Sequence, residues 1–205
     1  MKRALVGTLI AVVAIWVPAT GSAENSRLIS TADFSGWDHS GAGHFEASTH
    51  GGKVVYATRG GIGLLWFEEV QDDFRLSFRF KVSPEGGNSG VFLRVPHPDG
   101  DRYIYESFEV QIDPRGAGTS ATGAIYDVQP PLVLVVPEPG TWYRMVVTAK
   151  GERIKVFIDD ILVNDFQARP GGKVESYELQ GHIGLQNHSD SDVVRFRGIR
   201  LRHLS

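Results

Sequence analysis

The chain has 205 residues, of which 22 % are charged, 41 % hydrophobic and 10 % aromatic, the profile of an ordinary folded protein of one domain. A formal charge of −3 without any basic run excludes the electrostatic footprint of a nucleic-acid binder. The absence of cysteine excludes disulfides, thiolate nucleophiles, Cys-ligated zinc and a lipid-modified cysteine anchor.

Residues 1–23 read as a cleavable signal peptide. Lys2 and Arg3 form a positive start, Ala4 to Val17 an apolar stretch, and Ala19-Thr20-Gly21-Ser22-Ala23 a small-residue cleavage site. The apolar run is short for a membrane span and no second one follows, so a mature protein of residues 24–205 without a stable span is expected, secreted or periplasmic.

Beyond it, the dominant period is two. Strands are expected over Val54–Ala57, Gly63–Glu68, 74–82 and 88–95, then over Tyr105–Asp113, Gly123–Tyr126, 145–149, 154–158, His182–Asn187 and Val193–Leu201. In 74–82, Phe74, Leu76, Phe78, Phe80 and Val82 alternate with Arg75, Ser77, Arg79 and Lys81. Turn signals separate the strands, among them Pro98-Asp99-Gly100, Pro139-Gly140, Lys150-Gly151 and Pro170-Gly171-Gly172. Asp33–Gly43 and Pro114–Ala121 read as loops, Trp37 and Trp142 as core plugs, and any helix as a brief turn. About ten short strands at this spacing make an all-β sandwich, jelly roll or barrel.

The strand faces turned away from the core carry the informative residues. If Phe108, Val110 and Ile112 face inward, then Tyr105, Ser107, Glu109, Gln111 and Asp113 face outward. If Val91, Leu93 and Val95 face inward, Asn88, Gly90, Phe92 and Arg94 face outward; Ile183 and Leu185 likewise leave Gly184, Gln186 and His188 outside. A wet face on an antiparallel sheet is by itself ordinary solvation. Here, however, the Glu109/Gln111/Asp113 row lacks Lys and Thr, and Gly87-Asn88-Ser89-Gly90 sets two glycines beside a small polar pair, as where backbone approaches a ligand. Together these strands would form a polar, aromatic-edged groove of the kind a carbohydrate needs, with planar hydrogen-bonding groups for hydroxyls and flat apolar groups for ring faces.

The segments Gly86-Gly87-Asn88-Ser89-Gly90-Val91-Phe92-Leu93-Arg94, Phe108-Glu109-Val110-Gln111-Ile112-Asp113, Thr122-Gly123-Ala124-Ile125-Tyr126 and Pro139-Gly140-Thr141-Trp142 follow one another along the chain. Gly181-His182-Ile183-Gly184-Leu185-Gln186-Asn187-His188 and Val194-Arg195-Phe196-Arg197-Gly198-Ile199 complete the series. In this order they resemble the bacterial 3-keto-disaccharide hydrolase family, also called 3-keto-glucoside 1,2-lyase/3-keto-2-hydroxyglucal hydratase, from about Phe34 to Leu204. The chain departs from the family pattern at Tyr143, Gly198 and Asp159-Asp160, all outside the expected groove. The resemblance implies a concanavalin A-like jelly-roll sandwich of two antiparallel sheets, exported, acting on sugars oxidised at C3.

A ketone at C3 acidifies the C2–H and places the C1 substituent β to the resulting carbanion, so the glycosidic bond can break by elimination, with water added afterwards. That chemistry needs a base, a partner for the enolate oxygen and a proton for the leaving group. Glu109 is the expected base and Arg94 the oxyanion partner, with His188 and Tyr126 as candidate proton donors and Asp113 sharing the base role or orienting Arg94. Asn88, Ser89, Gln111 and Gln186 would bind hydroxyls, and Phe92 and Trp66 would pack against the sugar.

Two other readings stand beside this one: a non-catalytic, lectin-like sugar-binding module, and a conventional two-carboxylate glycosidase. Glu109 and Asp113 lie roughly 13 Å apart along an ideal strand, wider than the about 5.5 Å or 6.5–9.5 Å that retaining and inverting pairs need. The seven histidines show no metal spacing, Asp99-Gly100-Asp101 reads as a plain turn, and no cofactor fingerprint appears, so no metal and no cofactor are expected.

Overall fold

In the computed structural model, which describes residues 26–84 and 86–205, the period-two segments become two antiparallel sheets packed face to face. The expected signal peptide lies outside the described residues. In chain order the strands are β1 (Arg27–Leu28), β2 (Trp37–Gly41), β3 (His44–His50), β4 (Lys53–Arg59), β5 (Gly63–Gln71), β6 (Phe74–Val82) and β7 (Ser89–Val95). A single helical turn, α1 (Tyr103–Glu106), precedes β8 (Phe108–Ile112). Then come β9 (Tyr143–Lys150), β10 (Arg153–Ile158), β11 (Ile161–Gln167), β12 (Gly181–Asn187) and β13 (Val194–His203).

The larger sheet runs β11-β10-β9-β6-β13-β4-β3 with β1 added beside β13, and the smaller runs β2-β5-β12-β7-β8. Side chains alternate across each strand, so one face of each sheet is apolar and the two apolar faces close on one another. From the larger sheet come Phe74, Leu76, Phe78, Phe80 and Val82; from the smaller, Val91, Leu93, Phe108, Val110, Ile112, Ile183 and Leu185. All are buried, and each such side chain contributes roughly 1.5–3 kcal/mol by leaving water. No helix among the described residues is long and apolar enough to cross a membrane.

The architecture matches the expected sandwich, with local differences. β2 lies inside the stretch read as a loop; Trp37 is in the core, as expected, and its indole N–H donates to the Ile29 carbonyl at 2.6 Å. β3 and β11 were not legible as strands. β3 is an edge strand with a mostly exposed, polar sequence, and β11 follows a hairpin turn, Asp159-Asp160, that lacks glycine although both residues adopt positive φ (44° and 69°). The segment expected as one strand over Tyr105–Asp113 begins as α1 and becomes strand only at Phe108. Gly123–Tyr126 is not a named strand but lies along β8 through backbone bonds, including Gly123 N–H to Gln111 O (2.9 Å) and Tyr126 N–H to Glu109 O (2.9 Å). Trp142 is no core plug: it is half-buried beneath Arg197 and Lys81.

The most consequential difference is in β7. Gly184 of β12 pairs with Phe92, but two residues earlier His182 pairs with Val95, so β7 carries one extra residue. The bulge is taken up at Arg94, whose φ is +58°. Beyond it the alternation changes sign. Val95, expected in the inter-sheet core, instead clusters with Leu64, Phe92 and Tyr103 on the outer face of the smaller sheet. Arg94 leaves that face altogether.

Candidate active site

The outer face of the smaller sheet holds a cavity of about 220 Å³. Its floor comes from three adjacent strands: Phe92 on β7 opposite Glu109 on β8, Gly90 opposite Gln111, and Gln186 from β12. Tyr103 and Ile104 of α1, Ile62, Asn88, Tyr126, Lys173 and His188 complete the wall.

Glu109 is the chemical centre. A Cβ built on Gly90 would stand 1.9 Å from Glu109 Oε1, so the carboxylate occupies the space that a side chain at that position would fill. With its amide nitrogen turned toward them, Gln111 donates to Glu109 Oε1 (3.2 Å) and to the Ser89 carbonyl (3.0 Å). Burial raises the Glu109 pKa from the ordinary 4.5 to about 8, and the positive charge of Lys173 only partly opposes this. Tyr103 is pushed up to about 12, first by burial and then by the neighbouring Glu109 and Asp101, so its phenol keeps its proton and remains a donor. Its ring meets Phe92 edge-on at 4.8 Å.

His188 sits at the mouth, and its position is set from below. Its Nδ1 bonds to Asp192 Oδ2 at 2.7 Å, which orients the ring and leaves Nε2 free of any protein hydrogen bond among the described residues. Asp192 is almost fully buried; burial opposes its charge, but hydrogen bonds from Ser189, His188 and the Asn88 N–H outweigh that and hold it below the usual carboxylate range. The same carboxylate accepts from the Arg115 guanidinium at 2.9 Å. Asn88 Oδ1 and Gln186 Oε1 are buried acceptors without a protein donor among the described residues.

Seven of the residues expected from sequence thus line one cavity: Glu109, Gln111, His188, Tyr126, Asn88, Phe92 and Gln186. Four do not. Arg94, the expected oxyanion partner, is turned by the β7 bulge to the end of the sandwich. There it donates to Asp72 O (2.8 Å), Gly151 O (2.6 Å) and Asp73 Oδ1 (3.1 Å), tying the β5–β6 turn to the β9–β10 turn. Asp113 can neither share the base role nor orient Arg94, because it faces away from the cavity and accepts from Arg115. Ser89 is fully buried and donates to the Gln186 carbonyl (2.6 Å), which is a ladder-supporting bond and no substrate contact. Trp66 packs beside this cluster against His182 (4.7 Å between rings) and does not reach the cavity.

Sequence reasoning missed Lys173, Tyr103, Ile62, Ile104 and the supporting Asp192. Lys173 lay in a segment read as a plain turn. A Cβ on Gly172 would stand 2.1 Å from the Asp127 carbonyl, so this turn docks closely beside Tyr126, over whose ring the Lys173 ammonium sits at 5.4 Å. Only that glycine in Pro170-Gly171-Gly172-Lys173 hinted at a close approach. Asn187, in an apparent glycosylation sequon, is fully buried and donates to backbone carbonyls of His44 and Gly60, so it is a structural residue.

The fold is that of the lectin-like, concanavalin A-type jelly rolls, and the site is a partly open cavity with one perturbed carboxylate at its floor. The sequence profile of the 3-keto-alpha-glucoside-1,2-lyase-like domain matches residues 26–202, and the chain belongs to that family. Similar solved structures include a protein named "Putative glycosyl hydrolase" from Parabacteroides distasonis ATCC 8503, with a TM-score of 0.71 and 22% identity, covering 87% of this chain and 99% of that one. The carbohydrate binding module CBM66 from Bacillus subtilis aligns with a TM-score of 0.57 and 16% identity, over 80% of this chain and 93% of the module. The VIP36 exoplasmic/lumenal domain in its Ca2+/Man3GlcNAc-bound form aligns at 0.53 with 15% identity, over 89% and 90% of the two chains. No curated protein sequence matches this chain.

Proposed function

We propose that this protein is exported and cleaves 3-keto-glycosides by removing the C2 proton and eliminating the C1 substituent. The observation that carries the reading is Glu109: a fully buried carboxyl group with its pKa raised to about 8, and the sole carboxylate among the described lining residues. A carboxylate in that state is a far stronger base than one in water.

In the proposed reaction Glu109 takes the C2 proton, and the electron pair of that C–H bond delocalises onto the C3 oxygen. The Lys173 ammonium and the Tyr103 hydroxyl take over the stabilising role expected of Arg94, since both line the cavity and both donate. Collapse of the enolate restores the C3 carbonyl, forms the C1–C2 double bond and breaks the C1–O bond. The departing oxygen receives a proton from Nε2 of a doubly protonated His188, whose Nδ1–H stays donated to the Asp192 carboxylate. Addition of water across the double bond puts hydroxyl on C1 and returns a proton to C2, so the net change is hydrolysis. Asn88, Gln111 and Gln186 offer amide groups to the sugar hydroxyls. A two-carboxylate mechanism lacks its second group, because Asp113 is engaged with Arg115.

The likeness to a carbohydrate binding module also favours a pure sugar-binding role. Incubation with a 3-keto-glucoside in deuterated water separates the readings. Deuterium at C2 of the released sugar is expected, together with a loss of roughly 10³-fold or more in turnover for Glu109→Gln. Release without deuterium rejects elimination, and binding without release in the unaltered protein makes it a binding module. Because the base form of Glu109 accumulates as pH rises toward 8 while the proton donor must keep its proton, kcat/KM is expected to rise, pass through a maximum and fall again.

A further inference from the structure

The outer face of the larger sheet, on the opposite side of the sandwich, carries a second concavity of about 320 Å³, and its lining is arginine-rich. The strand register sets Arg75 opposite Arg202 and sets Arg79 opposite both Arg197 and Arg144. Like charges placed directly across a sheet destabilise it. A bulge maintains this arrangement: three residues of β13, from Arg197 to Arg200, span two of β6, with Gly198 at φ +60°. Uninterrupted alternation would turn Arg200 and Arg202 into the core; the bulge sends both outward while Ile199 and Leu201 stay buried.

Little on the protein compensates these charges. Among the described residues only Arg144 of this group meets a carboxylate, the exposed Asp160 at 2.8 Å. Arg197 lies over the Trp142 ring at 4.0 Å, and the buried Nε atoms of Arg197 and Arg202 have no hydrogen-bond partner. Burial, and then the neighbouring Arg144 and Arg202, hold Arg75 below the usual guanidinium range. Crowded, partly exposed guanidinium groups with one carboxylate among them are a site for oxyanions, which they can grip in two-point forks.

We propose that this concavity binds an acidic oligosaccharide through its uronate carboxylates, docking the protein on an anionic polymer while the opposite cavity faces its glycoside. A recessed site suits a chain of substituted rings better than a bilayer, and its lining offers no exposed aliphatic side chain to enter one. Adjacent strands and alternate residues repeat at about 5 and 7 Å, so several carboxylates on neighbouring rings can be met at once.

The test is calorimetric titration of the purified protein with a short oligogalacturonate, the neutral oligogalactoside of equal length, inorganic phosphate, and phosphatidylglycerol vesicles. Expected are binding of the oligogalacturonate that weakens with added salt, no comparable binding of the neutral sugar, and a loss of about tenfold or more in the double variant Arg75→Gln/Arg202→Gln. That variant removes a repelling pair, so its melting temperature should hold or rise, which excludes unfolding as the cause. The proposal is overturned if the oligogalacturonate binds no better than the neutral sugar, if the variant binds equally well, or if only phosphate or vesicles bind.

Discussion

Glu109 and the arginines around Arg75 are charged groups on the outer faces of the same sandwich, one set on each sheet, and water reaches them very differently. Around Glu109 the smaller sheet is roofed by α1, by the 123–126 segment along β8 and by the turn that carries Lys173. One carboxyl group is thereby taken out of water without a paired cation in contact, and it responds by holding its proton. Over β6 and β13 the arginines are only half-buried or exposed, and several guanidinium groups stay charged side by side. The contrast teaches that the burial of the individual group, more than the presence of a concavity, decides whether a charge becomes reactive: the front face perturbs one proton equilibrium strongly, whereas the back face accumulates field.

Arg94 is the residue that sequence assigns to the front and structure removes to the sandwich end, and its loss should have the largest effect on stability. Arg94→Ala is expected to cost roughly 3 kcal/mol in denaturant unfolding, because it removes a buried charge partner from Asp73, which keeps only the Gly151 N–H, and the guanidinium donors of two carbonyls. The remaining folded fraction should keep its turnover per molecule; a selective loss of kcat would return Arg94 to the active site. Next in size, Gly90→Ala pushes against Glu109 Oε1 and should lower turnover about a hundredfold with little change in sugar binding. Unchanged kinetics would mean that the carboxylate is not where the reaction needs it.

The proton equilibrium itself can be read from stability. A carboxyl group whose pKa is 4.5 unfolded and about 8 folded favours the native state most below pH 4.5, and its contribution is lost as pH rises toward 8. Glu109→Gln should therefore match the parent protein near pH 4 and become progressively more stable above it, the gap widening by roughly 1.4 kcal/mol per pH unit before levelling past pH 8. A pH-independent gap would show that Glu109 ionises normally. The smallest effect belongs to the back face. Arg79→Gln, which relieves repulsion from Arg144 and Arg197, should stabilise the protein by about 0.5 kcal/mol at low ionic strength, and salt should erase the gain.

Much of this protein was legible from residue order alone. The alternation in β6 and β8 determined which side chains are buried, since a strand allows only two faces. It thereby placed Glu109 and Gln111 together on the outside of the sheet, with Phe92 and Gln186 on neighbouring strands. Period-two reasoning failed where the backbone broke its own period. The extra residue at Arg94 reversed the alternation in β7, and no local signal marks a positive φ at an arginine. It also carried no information about groups arriving from elsewhere in the chain. Lys173 and Tyr103 reach the cavity from a turn and a single helical turn, Asp192 reaches His188 from a loop, and only three-dimensional closure decides what they touch. Alternation is written residue by residue, so composition and order suffice to read it. A buried carboxyl group with a raised pKa is a property of everything packed around it, and that belongs to the tertiary structure.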